Sequence, residues 1–412
     1  MLFRCWKGEG CFIFRMIVRP HAKKASVPKT FEPLLSMFHV APFDENEGVP
    51  ERNGLYSFRA KGVVPMSKVG IAAESRRIDT LLLRALCFGP KSYWELMREG
   101  KAQTHQVLKA LQSLLEGELA AYNGDRFVIT EKGRRQAETM GLERVAEQRC
   151  EVCAGRGIVL RPPFDSVLAA FQDIAAMRPK ATPDFDQGYV TPETTVRRLA
   201  LMAQQGDLMG RDILLLGDDD LTSIAAALSG LPRRICVLDV DERIVRFVRD
   251  VAQDQGWDHV HAEVYDVRDE LPSHLRGQFD VFFTDPVDTV KGLLLFLSRC
   301  TEGVRGPGAA GYFGLSYLEA SWRKWRQIQQ GILDMGFAIT DMLSAFQDYL
   351  LEDIVFLDWA HMAPAPVKEP DIPFYVSTVY RLEMVEEPRP LFFGWVEFEQ
   401  DFYYDEEFCG KE

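Results

Sequence analysis

Residues 213–220 read ILLLGDDD, and the segment 221–228 that follows them reads LTSIAAAL. Four consecutive apolar residues predict a strand that is buried on both faces, as in a parallel sheet covered by helices. Gly217 then permits a tight turn, and the alanine-rich segment behind the turn predicts a helix. A buried strand, a turn and a helix in this order are typical of a doubly wound α/β domain, which binds its ligands at the carboxyl ends of its strands.

Three further buried strands follow, and each of them also ends in an acidic residue. The predicted strands cover residues 234–238, 261–265 and 279–284, and the acidic residues directly after them are Asp239, Asp266 and Asp285. The alternation of strands and helices predicts a class I methyltransferase-like Rossmann domain over residues 196–390. Because such strands are parallel, we expect the four strand ends to share one edge of the sheet.

The residues at these strand ends predict a nucleoside site. Asp239 lies 22 residues after Gly217, the spacing at which a carboxylate on the second strand accepts hydrogen bonds from both ribose hydroxyls. Asp266 stands where a carboxylate accepts from the adenine amino group. Gly217 allows the backbone to approach the nucleoside closely.

The charge of the turn at Asp218, Asp219 and Asp220 indicates the kind of nucleotide. Helix capping accounts for one of these aspartates, and the other two repel each other unless a cation is bound nearby. The positive end of a helix normally binds phosphate, which three carboxylates at this position disfavour. We therefore predict an adenosyl sulfonium rather than a dinucleotide, with Gly217, Asp218 and Asp219 among its contacts.

The composition argues against several other classes of protein. The 412 residues carry a formal charge of −13, which argues against a protein whose main task is to bind nucleic acid. The charge leaves a cationic substrate and simple solubility as alternatives. Hydrophobic residues make up 47% and charged residues 26%, and no apolar run approaches the ~18–20 residues of a membrane span. We expect a cytoplasmic protein without a membrane partner.

The eight cysteines are scattered along the chain and form no disulfide pattern, which favours a reducing compartment. Cys150 and Cys153 alone form a CxxC pair. A structural zinc site usually has four ligands, and no second CxxC or HxxxH motif is present in the sequence. We therefore predict no metal site, with metal or redox use of this pair as the alternative.

The N-terminal part of the chain divides into two predicted regions. Residues 1–74 form an extension of uncertain role, either a targeting peptide or the product of a start codon placed upstream of Met66. Residues 75–140 predict three helices and a hairpin with a type I′ turn at Asn123-Gly124, which together indicate a winged helix-turn-helix domain. The third helix contains no arginine for reading bases. A structural or dimerising module is therefore favoured over a DNA reader, and we expect a homodimer.

Two further segments flank the predicted catalytic domain. Residues 141–195 form a linker with the CxxC pair and a polar loop, in which Thr191 and Pro192 begin a helix. This loop either closes over the ligand or is an ordinary capped linker. Residues 391–412 form an acidic tail that is either disordered in solvent or a flexible lid that attracts polycations.

Several spaced motifs within residues 75–412 resemble those of one family. They are Asp186-Gln187, TPETT at 191–195, LGDDDLTS at 216–223, Asp239-Val240-Asp241, FTDP at 283–286, YFGLS at 312–316 and PFYVS at 373–377. In these motifs the chain resembles the branched-chain polyamine synthases, the N4-bis(aminopropyl)spermidine synthases of thermophilic archaea and bacteria. The resemblance implies transfer of an aminopropyl group from decarboxylated S-adenosylmethionine, a co-substrate that is not tightly bound. The implied acceptor is the secondary amine of spermidine or a similar linear polyamine, and methylthioadenosine is released.

The resemblance also implies roles for single residues. Asp285 would be the general base that deprotonates the attacking amine. Gln187 would contact the cofactor. The carboxylates that would bind ammonium groups of the substrate belong to Asp186, Glu193, Asp220 and Asp288. The family typically has an Asp-Pro-Pro-aromatic sequence after the fourth strand, whereas here Val287 and Asp288 follow Pro286, which bears on the choice of acceptor.

Two other functions are compatible with the sequence. The TDPV sequence at 284–287 loosely resembles the Asp-Pro-Pro-Tyr motif of adenosylmethionine-dependent methyltransferases that act on amino groups of bases. The three aspartates at 218–220 and the acidic chain argue against such a nucleic-acid substrate. A polyamine-responsive regulator that uses the winged helix is the second alternative.

Overall fold

A computed structural model describes residues 3–8, 11–16, 68–146, 148–182, 185–350, 360–397 and 402. The chain divides into two compact units, Met1–Pro65 and Met66–Glu412. In the first unit, strands β1 (Phe3–Gly8) and β2 (Cys11–Met16) form an antiparallel pair.

Some of the predictions fall outside the described residues. They concern the start at Met66 and the part of the acidic tail beyond residue 397, apart from Phe402. The boundaries predicted for the individual domains stay predictions.

The described part of the second unit begins with a small, mainly helical region. Its elements are α1 (Lys68–Cys87), α2 (Tyr93–Gly100), α3 (Thr104–Glu116), β3 (Ala120–Tyr122), β4 (Phe127–Ile129) and α4 (Glu131–Met140). Ser92 begins α2 with a capping box, because its hydroxyl accepts from the Glu95 N–H and its own N–H donates to the Glu95 carboxylate. The ring of Trp94 on α2 lies 4.3 Å, centre to centre, from the ring of Phe374 at an angle of 38°, and Phe374 lies shortly before the last strand of the main sheet.

The turn between β3 and β4 differs from the prediction. Tyr122 pairs with Phe127, so the loop spans residues 123–126 rather than two residues. Asn123 Oδ1 accepts hydrogen bonds from the N–H groups of Asp125 at 3.1 Å and Arg126 at 2.8 Å. The predicted type I′ turn is therefore wrong, because the asparagine side chain closes a wider loop from the inside.

The main domain is a seven-stranded sheet with helices on both faces. Two helices precede it, α5 (Phe164–Ala175) and α6 (Pro192–Gln204). Its elements are then β5 (Asp212–Leu216), α7 (Thr222–Ser229), β6 (Arg234–Asp239), α8 (Glu242–Gln255), β7 (Val260–Val264), β8 (Val281–Thr284), α9 (Val290–Gly303), β9 (Ala310–Leu315), α10 (Trp322–Asp334), β10 (Phe337–Asp348) and β11 (Val376–Met384).

The strand order defines the class of the domain. The strands follow one another across the sheet as β10-β11-β9-β8-β5-β6-β7. Strands β5 to β9 run parallel, and β11 is antiparallel to both β9 and β10. The predicted α/β domain with a mainly parallel, Rossmann-type sheet is thus confirmed. No helix in the described part of the chain is long and apolar enough to cross a membrane.

Strand β5 contributes to the hydrophobic core on both faces of the sheet. Leu214 and Leu216 belong to the core that α9 and α10 cover, whereas Ile213 and Leu215 belong to the core that α7 and α8 cover. All of these side chains are almost fully buried. The continuous apolar run at 213–216 is therefore explained by burial on both faces, as expected for a central parallel strand.

Candidate active site

Four strand ends meet around one cavity. Gly217 follows β5, Asp239 ends β6, Asp266 follows β7 and Asp285 follows β8, and all four residues line a cavity of about 330 Å³. Since β5 lies between β6 and β8, the connections diverge here and leave a crevice at the carboxyl edge of the sheet. The structure thus brings together the strand ends that were expected at one edge.

Asp239 is oriented within this first cavity by backbone groups. Its Oδ2 accepts a hydrogen bond from the Asp218 N–H and its Oδ1 accepts from the Asp241 N–H, each at 2.8 Å. Burial raises the pKa of the Asp239 carboxyl to about 6, and the two hydrogen bonds oppose this rise. Beside it, Gly217 has a φ of 77°, a conformation that favours glycine. A carboxylate has further lone pairs, so Asp239 can still accept from ribose hydroxyls.

Asp266 has a partner that the sequence did not indicate. Arg268 donates to its carboxylate from the backbone N–H at 2.9 Å and from Nε at 2.8 Å. Burial raises the pKa of Asp266, but the hydrogen bonds from Arg268 outweigh burial, so the pKa lies below its ordinary value. Arg268 Cζ in turn lies 5.1 Å from the ring centre of Trp395. Asp266 is therefore an ionised and well-anchored acceptor on the wall of the first cavity.

A second cavity of about 130 Å³ adjoins the first. The lining residues common to both cavities are Asp186, Gln187, Asp219, Asp285, Pro286 and Val287. The second cavity is also lined by the acidic residues Asp288 and Glu319 and by Tyr349 and Tyr375. None of the described residues that line it is a lysine or an arginine. The lining of this cavity therefore concentrates carboxyl groups, and Arg198, which pairs with Asp285, is not part of it.

Several aspartates that line the second cavity have raised pKa values. Desolvation within the cavity, together with the nearby Glu319, raises the pKa of Asp186 to about 7, although part of the residue is exposed to solvent. Burial and then repulsion from neighbouring carboxylates raise the pKa values of Asp219 and Asp288 well above the ordinary range. A cation placed among these groups relieves their repulsion, so the cavity favours ammonium groups and disfavours anions.

Asp285 lies where the two cavities join, and two donors fix its position. Arg198 Nη2 lies 2.5 Å and the Tyr349 hydroxyl 2.8 Å from Asp285 Oδ2. Burial raises the pKa of Asp285, Arg198 opposes the rise and Asp220 adds to it. The other oxygen, Oδ1, lies against Gly314, which also lines the second cavity. One carboxylate oxygen is thus anchored by protein donors, and the other lies beside the acidic cavity.

Two of the three aspartates at the turn, Asp218 and Asp220, bind to other residues of the protein and face neither of the two cavities. Asp218 accepts hydrogen bonds from both the N–H and the hydroxyl of Ser223 at the start of α7. Asp220 pairs with the buried Arg198 at 2.6 Å and accepts from the Val190 N–H at 2.7 Å. Neither aspartate lines a cavity among the described residues. Their predicted contacts with ligand do not follow from the structure, because protein donors occupy both carboxylates.

Glu193 and Gln187 also have neighbours that the sequence did not specify. The Glu193 side chain is 60% exposed, pairs with Arg197 at 2.6 Å and lines neither cavity, so its predicted substrate contact has no support in this geometry. Gln187 lines both cavities. Its Nε2 donates to Asp241 at 3.0 Å and its Oε1 accepts from the Thr182 N–H at 3.0 Å. Gln187 thus ties the polar loop to the end of β6.

Phe402 is the residue of the tail beyond 397 that the structure describes, and it lines the first cavity. Its carbonyl accepts a hydrogen bond from the Thr289 hydroxyl at 2.7 Å, and its ring stacks on Phe296 at 6.3 Å between ring centres. The tail therefore contributes at least one apolar side chain to the wall of the first cavity.

Three residues of the second cavity were not predicted. Glu319 lies in the loop after β9, Tyr349 directly follows β10, and Tyr375 directly precedes β11. The PFYVS motif at 373–377 was the one signal that pointed toward Tyr375. Among the described residues, no three or more His, Cys, Asp or Glu side chains are arranged so that they could hold a metal ion, and the prediction that the protein has no metal stays a prediction.

The fold and the two cavities define a class of enzyme. A Rossmann-type domain that places a nucleoside-sized cavity beside an acidic cavity is suited to transfer a group from an adenosyl compound to a cationic acceptor. We therefore assign the protein to the nucleoside-dependent transferases.

Comparisons with known proteins identify the family. A family model described as the branched-chain polyamine synthase A C-terminal domain matches residues 166–409. The N(4)-bis(aminopropyl)spermidine synthase of Thermococcus kodakarensis is 34% identical over 348 residues, which cover 82% of this chain and 96% of that protein. The enzyme of the same name from Thermus thermophilus is 43% identical over 297 residues, which cover 72% of this chain and 83% of that protein. The chain therefore belongs to the branched-chain polyamine synthase family.

A solved structure agrees with this assignment. The branched-chain polyamine synthase from Thermus thermophilus, in complex with N4-aminopropylspermidine and 5'-methylthioadenosine, superposes with a TM-score of 0.69 at 35% identity. The superposition covers 82% of this chain and 96% of the other. The predicted family and the predicted transferase class are confirmed.

Proposed function

We propose that the protein transfers the aminopropyl group of decarboxylated S-adenosylmethionine to the secondary amine of spermidine or a similar linear polyamine. The products are a branched polyamine and methylthioadenosine. The observation that carries the proposal is the position of Asp285 between a nucleoside-type cavity and a cavity lined by five acidic residues, Asp186, Asp219, Asp285, Asp288 and Glu319. The names and bound products of the relatives support the same reaction.

We propose that Asp285 acts as the general base. Its Oδ2 is held by Arg198 and Tyr349, and its Oδ1 remains beside the second cavity. In the reaction the acceptor nitrogen forms a bond to the aminopropyl carbon, and the bond between that carbon and the sulfonium sulfur breaks. The proton of the acceptor nitrogen passes to Asp285, and the electron pair of the broken bond stays on sulfur. A raised pKa suits a carboxylate that takes a proton near neutral pH.

The remaining carboxylates select the substrates by charge. Asp186 and Asp219 line both cavities, so they lie close to the aminopropyl amine of the cofactor as well as to the acceptor. Intact S-adenosylmethionine carries an additional carboxylate, which these residues repel. The site therefore favours the decarboxylated cofactor.

Val287 stands where the family typically has a second proline, and Asp288 stands where it has an aromatic residue. Val287 is buried and lines both cavities, and Asp288 lines the second. We propose that Tyr349 and Tyr375 supply the aromatic surface instead. Their rings meet edge to face at 5.1 Å, and the Tyr375 hydroxyl lies 3.5 Å from Asp288 Oδ2. Such a corner accommodates an ammonium group and its neighbouring methylenes.

We also propose that α1 to α3 with β3 and β4 form a winged helix that has a structural role. The first residue of α3 donates its backbone N–H to Leu318 O at 3.2 Å. The end of the helix that would read bases is therefore turned toward the catalytic domain, which argues against nucleic acid as a partner. The homodimer and the cytoplasmic location stay predictions.

The reaction is tested by incubating the protein with spermidine and either decarboxylated or intact S-adenosylmethionine. We expect methylthioadenosine and a branched polyamine from the decarboxylated compound. S-adenosylhomocysteine from the intact compound would instead indicate a methyltransferase, and the absence of any turnover would favour a regulator. Asp285→Asn should abolish transfer and retain methylthioadenosine binding. Asp334→Asn, an exposed aspartate at the end of α10, is the matched control and should keep full activity.

A further inference from the structure

The loop between β9 and α10 carries Glu319 into the second cavity. The Glu319 carboxylate interacts with the Tyr375 hydroxyl, and its charge raises the pKa values of Asp186 and Asp288. Glu319 is thus close to two other carboxyls of the acidic wall. Its position depends on a loop rather than on a strand of the sheet.

The N-terminal helical region holds three successive residues of this loop. The Tyr317 hydroxyl donates to Arg98 O at 3.0 Å. Leu318 O accepts from the Thr104 N–H at 3.2 Å. Glu319 O accepts from Gln103 Nε2 at 3.3 Å. The loop is therefore tied, residue by residue, to the region that the sequence marked as a winged helix.

These hydrogen bonds take the place of the usual cap of α3. Gln103 occupies the N-cap position, but its side chain makes no capping hydrogen bond and donates to Glu319 O instead. Thr104 has one of the backbone N–H groups that a helix leaves without an internal partner, and Leu318 O satisfies it. Gln103 and Thr104 are only 5% and 8% exposed. The donors at the start of α3 and the carbonyl groups of the loop thus form hydrogen bonds with each other in a buried interface.

We propose that Gln103 and Thr104 are positioning residues that fix Glu319 in the wall of the polyamine cavity. The helical region is thereby part of the acceptor site, although it contributes no side chain to the described lining of either cavity. The inference rests on the proposed function, because it takes the second cavity as the site for the ammonium groups of a linear polyamine.

The test replaces Gln103 by methionine, which has a similar shape and no donor. The matched control is Gln112→Met on the same helix, because Gln112 is exposed and bonds only to Glu116 among the contacts that the structure describes. We expect the KM for spermidine to rise about three- to tenfold in Gln103→Met, the factor for one lost hydrogen bond. The KM for decarboxylated S-adenosylmethionine should change less than about twofold.

A double-variant cycle shows whether Gln103 acts through Glu319. Glu319→Gln alone should raise the KM for spermidine, and adding Gln103→Met should raise it no further. A rise of both KM values together, an unchanged KM for spermidine in a folded Gln103→Met protein, or an undiminished effect in the Glu319→Gln background would each overturn the inference.

Calorimetric titration with spermidine separates this inference from the proposed reaction. If the wild-type protein binds spermidine but releases no methylthioadenosine, the proposed reaction fails. The Kd values of the same variants for spermidine then show whether Gln103 positions Glu319. If the wild-type protein binds no spermidine, the inference falls together with the acceptor site.

Discussion

A single methyl group placed on Gly314 should disable the proposed general base. Gly314 lies in β9 with ordinary backbone dihedral angles, so alanine fits the backbone without strain. Its Cβ, however, would lie 2.1 Å from Asp285 Oδ1 and 2.4 Å from Gln347 Nε2. Both neighbours belong to the network around Arg198, since Gln347 Oε1 accepts from Arg198 Nε at 2.5 Å. The substitution Gly314→Ala therefore acts directly on the carboxylate.

The size of the effect follows from the contact distance. A carbon and an oxygen that are not bonded approach to about 3.2 Å, so Asp285 must retreat by roughly 1 Å. A displacement of about 1 Å at a reacting group costs on the order of 10²-fold in rate. Asp285 cannot move this far and keep its short hydrogen bonds to Arg198 and Tyr349. We expect kcat to fall about 100-fold.

The assay is the release of methylthioadenosine at saturating concentrations of both substrates, combined with calorimetric titration of methylthioadenosine. Affinity for methylthioadenosine should change little, because Gly217 and Asp239 lie at other strand ends. Gly331→Ala is the control, since its Cβ would meet Leu294 at 2.5 Å in the core rather than at the site. That variant should lower the unfolding temperature and keep its kcat per folded molecule.

The reasoning fails if folded Gly314→Ala retains more than about a third of the wild-type kcat, because the position of Asp285 would then not govern the rate. It also fails if Gly331→Ala loses as much activity as Gly314→Ala. In that case crowding of the core, rather than displacement of the base, would account for both results.

Three further changes test other parts of the site. Arg198→Met leaves Asp220 and Asp285 as unpaired buried carboxylates, so the free energy of unfolding in urea should fall by about 3–5 kcal/mol. Asp239→Asn removes a charged acceptor for ribose and should weaken calorimetric methylthioadenosine binding about tenfold. The pKa of Asp186 is about 7, so its charge is lost as the pH falls through that value. The KM for spermidine should then rise from about pH 8 to about pH 6, and less steeply in Asp186→Asn. The first expectation is contradicted if Arg198→Met unfolds at the same urea concentration as the wild type. The second is contradicted if Asp239→Asn binds methylthioadenosine as tightly as the wild type. The third is contradicted if the KM of Asp186→Asn depends on pH as steeply as that of the wild type.

The sheet was predictable because each central strand is a continuous apolar run. The predicted strands 213–216 and 234–238 agree with β5 and β6 within one residue. Burial on both faces demands such runs, and a charged residue at the end of a run shows where the chain reaches solvent or a cavity. The meeting of Asp239, Asp266 and Asp285 followed from this rule together with the parallel direction of the strands.

The directions of the three aspartates at 218–220 were not predictable. A count of charges treats them as equal, but Asp218 turns to Ser223, Asp219 lines both cavities and Asp220 turns to Arg198. The direction of each side chain depends on the backbone of the turn, which includes Leu221 at a φ of 55°. A non-glycine residue in this conformation leaves no signature in the sequence.

Glu319 and Tyr349 were missed for a different reason. Tyr349 follows β10, which lies at the edge of the sheet farthest from β7, and Glu319 lies in a loop held by the helical region. Both reach Asp285 or its neighbours through tertiary packing, so local patterns around them carry no sign of the site. The buried Arg198 was missed because an arginine within a helix predicts an exposed face.

The site has two different ways to bear its negative charge. Arg198 is fully buried and pairs with both Asp220 and Asp285, so its single positive charge offsets one of their two negative charges. For Asp186 and Asp288, by contrast, burial and a neighbouring carboxylate raise the pKa values, which favours their protonated forms. A fixed cation therefore holds the carboxylates that must keep one orientation, whereas exchangeable protons reduce the negative charge of Asp186 and Asp288 in the wall of the cavity.

This division couples the binding of the substrate to the stability of the fold. The pKa of Asp186 in the folded protein, about 7, lies above the ordinary 3.8, so the folded state binds this proton more tightly than the unfolded chain. The stability that the group contributes is thus present below about pH 3.8 and is lost as the pH rises through about 7. A bound polyamine would bring its own positive charges and replace this proton. Asp186, whose ionisation costs the fold stability near neutral pH, is therefore one of the groups that we propose give the acceptor its affinity.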